Sequence, residues 1–96
     1  MLELRSCCEQ CEKELLPDST EAMICSFECT YCRECALILF ENVCPSCGGN
    51  FHPRPIRPKG MLQKYPSSGK KVFEPKSDLL IQKMKSAFKQ VPPSER

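Results

Sequence analysis

Eight cysteines of this 96-residue chain occur as four close pairs. In chain order they are Cys8 and Cys11, Cys25 and Cys29, Cys32 and Cys35, and Cys44 and Cys47, and only the second pair has three intervening residues instead of two. Zinc takes four thiolates in a tetrahedron, and a two-residue spacer lets one tight turn direct both sulfurs at the same ion. Eight thiolates therefore predict two four-cysteine zinc sites, whose closed ligand shells are typical of structural rather than catalytic ions.

The way in which two ions share the four pairs would determine the path of the chain. If Cys29 and Cys32 bound the same ion, the chain would crowd at that point, so alternate pairs are favoured. We expect Cys8, Cys11, Cys32 and Cys35 in site 1, and Cys25, Cys29, Cys44 and Cys47 in site 2. Sharing in chain order, with Cys8 to Cys29 on one ion and Cys32 to Cys47 on the other, is the open alternative.

Iron–sulfur ligation and disulfide formation are competing interpretations of the cysteines. Cys29, Cys32 and Cys35, with Cys44 before a proline, resemble a bacterial ferredoxin ligand run, but the gap to the fourth cysteine is too long for the common pattern. The N-terminus "MLELRSCCEQ" lacks the basic start and apolar run of a secretory signal. We therefore expect a cytoplasmic protein without membrane contact, in which thiols stay reduced. The odd count of nine cysteines also argues against complete pairing.

Two further residues could bind a metal or react, and we expect neither to do so. Cys7, the surplus thiol, could replace Cys8 as a ligand or react on its own. We favour the interpretation that Cys7 lies beside the ligands without binding the metal. His52, the only histidine, is expected at the surface or in packing. No Ser/His/Asp set, glycine-rich phosphate loop or paired carboxylates stand out, so we expect no enzyme activity and no small-molecule substrate.

The first fifty residues must position the cysteines, and we predict that they form a small, metal-dominated α+β module. A domain of this size buries only a modest core and needs a further source of stability, such as a bound metal. Glu21 to Phe27 is typical of a strand. Arg33 to Asn42 predicts a helix that covers the core with Ala36, Leu37, Leu39 and Phe40. Gly48 is expected to take a positive φ, which would point nearby N–H groups at the thiolates.

The second half predicts a tail with two parts. Residues 51 to 76 contain Pro53, Pro55 and Pro58, which favour an extended basic strap or linker with no strand pairing of its own. Residues 77 to 91 predict an amphipathic helix that Ser77 or Asp78 caps and Pro92 ends. Its apolar face, expected to pack on the zinc module, comprises Leu80, Ile81, Met84, Ala87, Phe88 and Val91.

Charge is distributed unequally between the two halves. Residues 1 to 50 hold three basic and nine acidic residues, whereas residues 51 to 96 hold eleven basic and three acidic residues. The tail could bind nucleic-acid phosphates through Arg54, Arg57, Lys59, Lys64, Lys70 and Lys71. The favoured alternative is that the tail neutralises the acidic, thiolate-rich half within the molecule or across a dimer, or is simply solvated.

The order and spacing of the cysteine pairs resemble a RING finger, with Cys29 where that family often has histidine. More specifically, "MLELR", "ICSFECTYC", "CPSCGG" and "RPIRPKGMLQKYP" are similar to a family of short bacterial cysteine-rich proteins of unknown function, over roughly residues 1 to 75. The resemblance implies a RING-like cross-brace with two zinc ions, and it brings no established activity.

The RING resemblance raises the question of ubiquitin-ligase activity. Such ligases typically dock a conjugating enzyme through an apolar residue in the first C-x2-C, an aromatic residue late in the helix and a proline in the last pair. In this chain the polar residues Glu9 and Gln10 occupy the position of the apolar residue, and Phe40 is an imperfect counterpart of the aromatic residue. Only the proline, Pro45, matches. Since a docking interface without its apolar anchors is weak, we expect instead a non-enzymatic zinc scaffold that contacts an unknown protein, with nucleic-acid binding as the second hypothesis.

Overall fold

The computed structural model describes all 96 residues and shows a small α+β protein built around one three-stranded sheet. The central strand, β1 (Ala22–Ile24), lies in the middle of the predicted segment Glu21 to Phe27. Strands β2 (Thr30–Cys32) and β3 (His52–Pro53) pair antiparallel with its two edges, which gives the order β2-β1-β3. Met23 therefore lies opposite Tyr31 on one side and opposite Pro53 on the other.

The second cysteine pair flanks the turn between β1 and β2. Cys25 N–H donates to the Cys29 carbonyl at 3.2 Å, and Glu28 N–H donates to the Cys25 carbonyl at 2.9 Å. Glu28 closes the turn in a left-handed conformation, with φ 65°. The three-residue spacer of this pair is thus a hairpin loop, which brings both cysteines to the same end of the sheet.

Strand β3 corrects the prediction that the proline-rich segment has no strand pairing. His52 lies opposite Ile24, and Arg54 N–H continues the pairing with a 2.8 Å bond to the Ala22 carbonyl. Pro53 is tolerated because β3 is an edge strand, where a missing N–H leaves no neighbour without a partner. The strap therefore enters the sheet before it leaves as an irregular chain.

A short π-helix (Cys35–Leu39) occupies the centre of the helix predicted over Arg33 to Asn42. Phe40 N–H donates to the Cys35 carbonyl at 2.9 Å, and this i→i−5 bond widens the turn. Ala36 and Phe40 are buried as predicted, but Leu37 and Leu39 are 38% and 37% exposed. The prediction was wrong for these two leucines because the wider turn directs them outward, together with Ile38.

The core is small and centres on three aromatic rings. The ring of Tyr31 meets that of Phe40 edge-on at 4.8 Å between centroids, and meets that of Phe51 edge-on at 5.6 Å. Leu15, Met23 and Ile81 pack in the same cluster as these rings and several cysteine side chains. Because five thiols make up part of this core, these cysteines are held within the packing; they are Cys8, Cys25, Cys32, Cys35 and Cys44.

The tail contains two α-helices, and the first of them was not predicted. Helix α1 (Lys59–Leu62) interrupts the strap, whereas α2 (Asp78–Phe88) lies within the predicted segment 77 to 91. Ser77 is the N-cap of α2, since its hydroxyl accepts a 3.2 Å bond from Leu80 N–H. A 3-10 turn, Pro93–Glu95, follows. None of these helices is long and apolar enough to cross a bilayer.

Candidate metal centre

The first cysteine group joins the N-terminal segment to the end of β2 and the start of the π-helix. The four Sγ atoms of Cys8, Cys11, Cys32 and Cys35 lie within 4.8 Å of one another, and those of Cys11 and Cys32 are 3.7 Å apart. A tetrahedral zinc ion with Zn–S bonds of about 2.3 Å has sulfur–sulfur edges of about 3.8 Å. The group therefore has the ligand type of a tetrathiolate metal site, and its Cys11–Cys32 distance matches the zinc value.

The second cysteine group joins the β1–β2 hairpin loop to the last pair. The Sγ atoms of Cys25, Cys44 and Cys47 lie within 4.8 Å of one another. Cys29 is not part of this close set, but it packs against the same cluster. Hydrogen bonds from the thiols of Cys25 and Cys44 lower the pKa of Cys29 to about 3. The second group is thus three close sulfurs with a fourth beside them.

Burial and mutual contact set the ionisation of the clustered thiols. Burial, with an added repulsion from Cys8, raises the pKa of Cys35. Hydrogen bonding to Cys25 and Cys29, together with burial, raises the pKa of Cys44. Four thiolates in so small a volume repel one another, and a divalent cation removes that penalty by favouring the ionised form. The donor set therefore fits a soft divalent cation such as zinc.

The first and last pairs lie on turns with the same backbone hydrogen bonds, which we call the first knuckle (residues 8 to 13) and the second knuckle (residues 44 to 49). Cys8 N–H donates to the Lys13 carbonyl and Glu12 N–H to the Cys8 carbonyl, at 2.8 and 3.0 Å. In the second knuckle the equivalent bonds run from Cys44 to Gly49 and from Gly48 to Cys44, both at 2.8 Å. The residue after the second cysteine is left-handed in each, with φ 69° at Glu12 and φ 80° at Gly48. The prediction of a positive φ at Gly48 is confirmed.

Backbone N–H groups point at several of the sulfurs. Gln10 and Cys11 N–H both donate to the Cys8 sulfur, at 3.4 and 3.5 Å. Cys35 N–H donates to the Cys32 sulfur, and Gly49 N–H donates to the Cys47 sulfur, each at 3.4 Å. Such bonds stabilise negative charge on a thiolate and orient it toward a metal.

The structure brings the first and third pairs together and places Cys25 of the second pair with the last pair. Sharing in chain order would require Cys25 and Cys29 beside Cys8 and Cys11, and the ferredoxin-like set would require Cys44 beside Cys32 and Cys35. Neither set is assembled, because Cys32 and Cys35 lie in the first group while Cys44 lies in the second.

Cys7 and His52 lie outside both groups. Cys7 is buried, its thiol donates to the Val72 carbonyl at 3.5 Å, and burial raises the pKa of this thiol. His52 is exposed on β3. Neither residue is placed among the candidate ligands.

Glu9, inside the first C-x2-C pair, is a structural residue that the sequence reasoning missed. Its side chain is 5% exposed and forms a 2.6 Å ion pair with Arg5. The same carboxylate oxygen accepts a short bond from Thr30 N–H, and the Glu9 carbonyl accepts from Glu74 N–H at 3.1 Å. Glu9 thereby ties the first knuckle to β2 and to the tail. The spacing of four residues between Arg5 and Glu9 was the feature of the sequence that could have predicted this ion pair.

The positions that RING ligases use for docking are occupied differently in this chain. Glu9 is buried, and Gln10 exchanges two hydrogen bonds with the backbone of Lys76, at 2.7 and 3.2 Å. Phe40 and Pro45 are also buried. None of these four residues presents an apolar side chain to solvent.

Two of the basic residues predicted to contact nucleic acid are used inside the molecule. Arg54 is 4% exposed and donates to the carbonyls of Arg5 and Leu16, at 2.8 and 3.0 Å. Arg57 donates to the carbonyls of Leu2 and Tyr65. Both guanidinium groups are therefore engaged with backbone oxygens of the same chain. Lys71 forms a 2.7 Å pair with Glu12, while Lys59, Lys64 and Lys70 are exposed.

Comparison with known proteins places the chain in a family. The model of the family described as "Protein of unknown function (DUF1272)" matches residues 1–57. The chain belongs to the DUF1272 family. This confirms the predicted resemblance to cysteine-rich proteins of unknown function. The DUF1272 match contains all nine cysteines and ends before α1.

A curated relative extends the similarity beyond the DUF1272 match. The chain is 52% identical over 75 residues to "Uncharacterized protein R02474" of Rhizobium meliloti (strain 1021), which is 78% of this chain and 89% of the relative. No solved structure matches the chain. The likeness therefore covers most of both proteins, and neither the relative nor DUF1272 itself names an activity.

Proposed function

We propose that this protein is a non-catalytic zinc protein in which two structural ions hold a RING-like cross-brace. Cys8, Cys11, Cys32 and Cys35 would bind the first ion, and Cys25, Cys29, Cys44 and Cys47 the second. The observation that carries the proposal is the close approach of sulfurs from separate chain segments, at the spacing of a tetrahedral thiolate site. Bound zinc would supply the positive charge that keeps clustered thiolates together in the reducing cytoplasm.

The place of Cys29 in the second set is supported by its neighbours. Cys29 packs against the cluster that contains Cys25 and Cys44, and the thiols of these two residues lower its pKa to about 3. The three-residue hairpin loop between Cys25 and Cys29 holds the two sulfurs on the same end of the sheet. A fourth thiolate would close the shell, which leaves no open position for a reacting water.

We also propose that the first metal site supports a surface for contact with another protein. Leu37, Ile38 and Leu39 are exposed on the π-helix, and Ile38 is the most exposed of them at 72%. Ile38 and Leu39 line a groove of about 390 Å³ together with Cys11 and Cys35. Because Cys35 begins the π-helix, metal binding at the first group would fix the orientation of this apolar surface.

Metal content tests the zinc proposal directly. Native mass spectrometry of protein purified without added metal should show two zinc ions per chain. Complete chelation should abolish the native circular dichroism, because each structural zinc site contributes about 10 to 16 kcal/mol of apparent folding free energy. A single ion per chain, an iron–sulfur absorption spectrum, or native dichroism after complete zinc removal would contradict the proposal.

A matched pair of substitutions tests the protein-contact proposal. Ile38→Glu places a charge in the apolar surface, whereas Leu79→Glu places one on α2, where Leu79 is 81% exposed and away from the groove. Affinity capture should recover a partner with the wild type and with Leu79→Glu but not with Ile38→Glu, while all three retain two metal ions. Equal recovery with both variants would show that the π-helix surface is not the contact.

A further inference from the structure

Helix α2 lies directly on the second knuckle, although it is outside the residues of the family match. A Cβ atom at Gly48 would lie 3.2 Å from the ring of Phe88 and 3.5 Å from the terminal methyl of Met84. The helix therefore packs against bare backbone, next to Cys47. Ile81, one turn earlier on the same helix, is 2% exposed in the core.

Arg96 attaches the chain after α2 to the second knuckle and to the residues just before it. One of its terminal nitrogens donates to the carbonyls of Asn42 and Gly48, at 3.1 and 3.0 Å, and Nε donates to the Val91 carbonyl at 3.0 Å. Asn42 precedes Cys44 and Gly48 follows Cys47. One guanidinium thus bonds to backbone on both sides of the two cysteines that this segment contributes to the second group.

Lys85 of α2 and Lys89, the C-cap of the helix, add a third attachment. Lys85 Nζ lies 3.2 Å and Lys89 Nζ 3.8 Å from a Glu41 carboxylate oxygen. Glu41 is left-handed, with φ 48°, at the end of the π-helix and three residues before Cys44. These ion pairs therefore attach the segment just before the second knuckle to the end of α2.

The first knuckle receives none of these contacts. The tail reaches it through Glu74, Lys76 and Lys71, which all precede α2. Loss of α2 docking would therefore change the surroundings of the second cysteine group and leave those of the first in place.

We propose that Arg96 and α2 form a clasp that positions the second cysteine group and controls how long it retains its metal ion. Arg96 is a positioning residue in this arrangement, because it acts on the carbonyls that flank Cys44 and Cys47 rather than on the ion. The inference rests on the proposed two-zinc function. It makes the second ion the exchangeable one, with its lifetime set by the docked tail.

The test uses full-length variants loaded with two zinc ions and challenged with a chromogenic chelator. Arg96→Ala should release one ion about tenfold faster than the wild type, which corresponds to the lower end of the affinity losses found when outer-shell partners of metal ligands are removed. The other ion should keep its wild-type release rate. Phe88→Ala, which removes the ring over Gly48, should have the same selective effect. Lys83→Ala, on the exposed side of α2, is the control and should release both ions at wild-type rates.

Cadmium-113 NMR then assigns the faster ion. Two resonances are expected from the cadmium-loaded wild type, and the one lost in Cys47→Ser should be the one that shifts in Arg96→Ala. Equal release of both ions in all variants, or a shift of the other resonance, would overturn the clasp alone. A wild-type protein that binds fewer than two ions would overturn both the clasp and the two-zinc function.

Discussion

The two knuckles have the same backbone but different surroundings. In the first, the left-handed residue after the second cysteine is Glu12, which is exposed and pairs with Lys71. In the second it is Gly48, which is buried under Phe88. A left-handed conformation costs a non-glycine residue about 1 to 2 kcal/mol, and the first knuckle tolerates that cost. Glycine matters more in the second, where a Cβ atom would also lie only 3.2 Å from the Phe88 ring.

The knuckles also differ in what anchors them. The first is held by a polar network around the buried Glu9 carboxylate, which contacts Arg5 and Thr30. The second is held by the apolar side of α2 and by Arg96. Similar turns can therefore be stabilised by different interactions, and substitutions at equivalent positions should have unequal effects.

The largest effect is expected from loss of a sulfur shared by a knuckle and a metal group. Cys44→Ser should bind only one zinc ion and lose cooperative unfolding of the second knuckle, because a structural zinc site contributes about 10 to 16 kcal/mol. Cys7→Ser is the matched control, since Cys7 lies outside both groups. Metal content and thermal unfolding measure both variants. Two bound ions in Cys44→Ser would refute its role as a ligand.

Gly48→Ala should be the most damaging change that leaves all sulfurs in place. We expect a loss of about 3 kcal/mol, from left-handed strain and from overpacking against Phe88. Urea unfolding of the zinc-loaded protein measures it. The double variant Gly48→Ala with Phe88→Ala should lose less than the sum of the two single changes, because the smaller side chain makes room. Strict additivity would show that packing contributes nothing at this position.

Glu9→Gln tests the polar anchor of the first knuckle. The substitution keeps the shape of the side chain but removes the charge opposite Arg5, and we expect a loss of about 2 kcal/mol, typical of hydrogen bonds to charged groups. Glu14→Gln, at an exposed position nearby, should leave the free energy of unfolding unchanged. Equal values for the two variants would mean that the buried pair does not stabilise the first knuckle.

Glu12→Gly should have the smallest effect and the opposite sign. Relief of left-handed strain is expected to stabilise the protein by about 0.5 to 1 kcal/mol, reduced by the backbone freedom that glycine adds to the unfolded chain. Lys71→Ala separates the contribution of the Glu12 ion pair from that of the backbone. Destabilisation by Glu12→Gly in the Lys71→Ala background would contradict the strain argument.

Local rules account for the features that depend on a few neighbouring residues. The left-handed Gly48 and the Ser77 cap follow from their immediate sequence. The outward turn of Leu37 and Leu39 depends on a π-type hydrogen-bonding pattern that hydrophobic periodicity does not distinguish from an α-helix. The burial of Arg54 depends on carbonyls from residues far away in the sequence.

Strand β3 also depends on pairing between distant segments, which local rules do not predict. Prolines argue against a strand with two neighbours, but Pro53 has only one, and the sequence alone does not show which edge of the sheet will receive the strap. The contact of Phe88 with Gly48 could not be predicted either, because the two residues are far apart in the sequence and local patterns do not show which distant segments pack together.

Cys11 is the exposed member of an otherwise buried first group, and it lines the same groove as Ile38 and Leu39. Alkylating reagents and oxidants approaching from solvent would therefore meet this sulfur first. A protein seated in the groove would shield it. The modification rate of one side chain, followed by mass spectrometry, thus provides a footprint of whether the groove is filled.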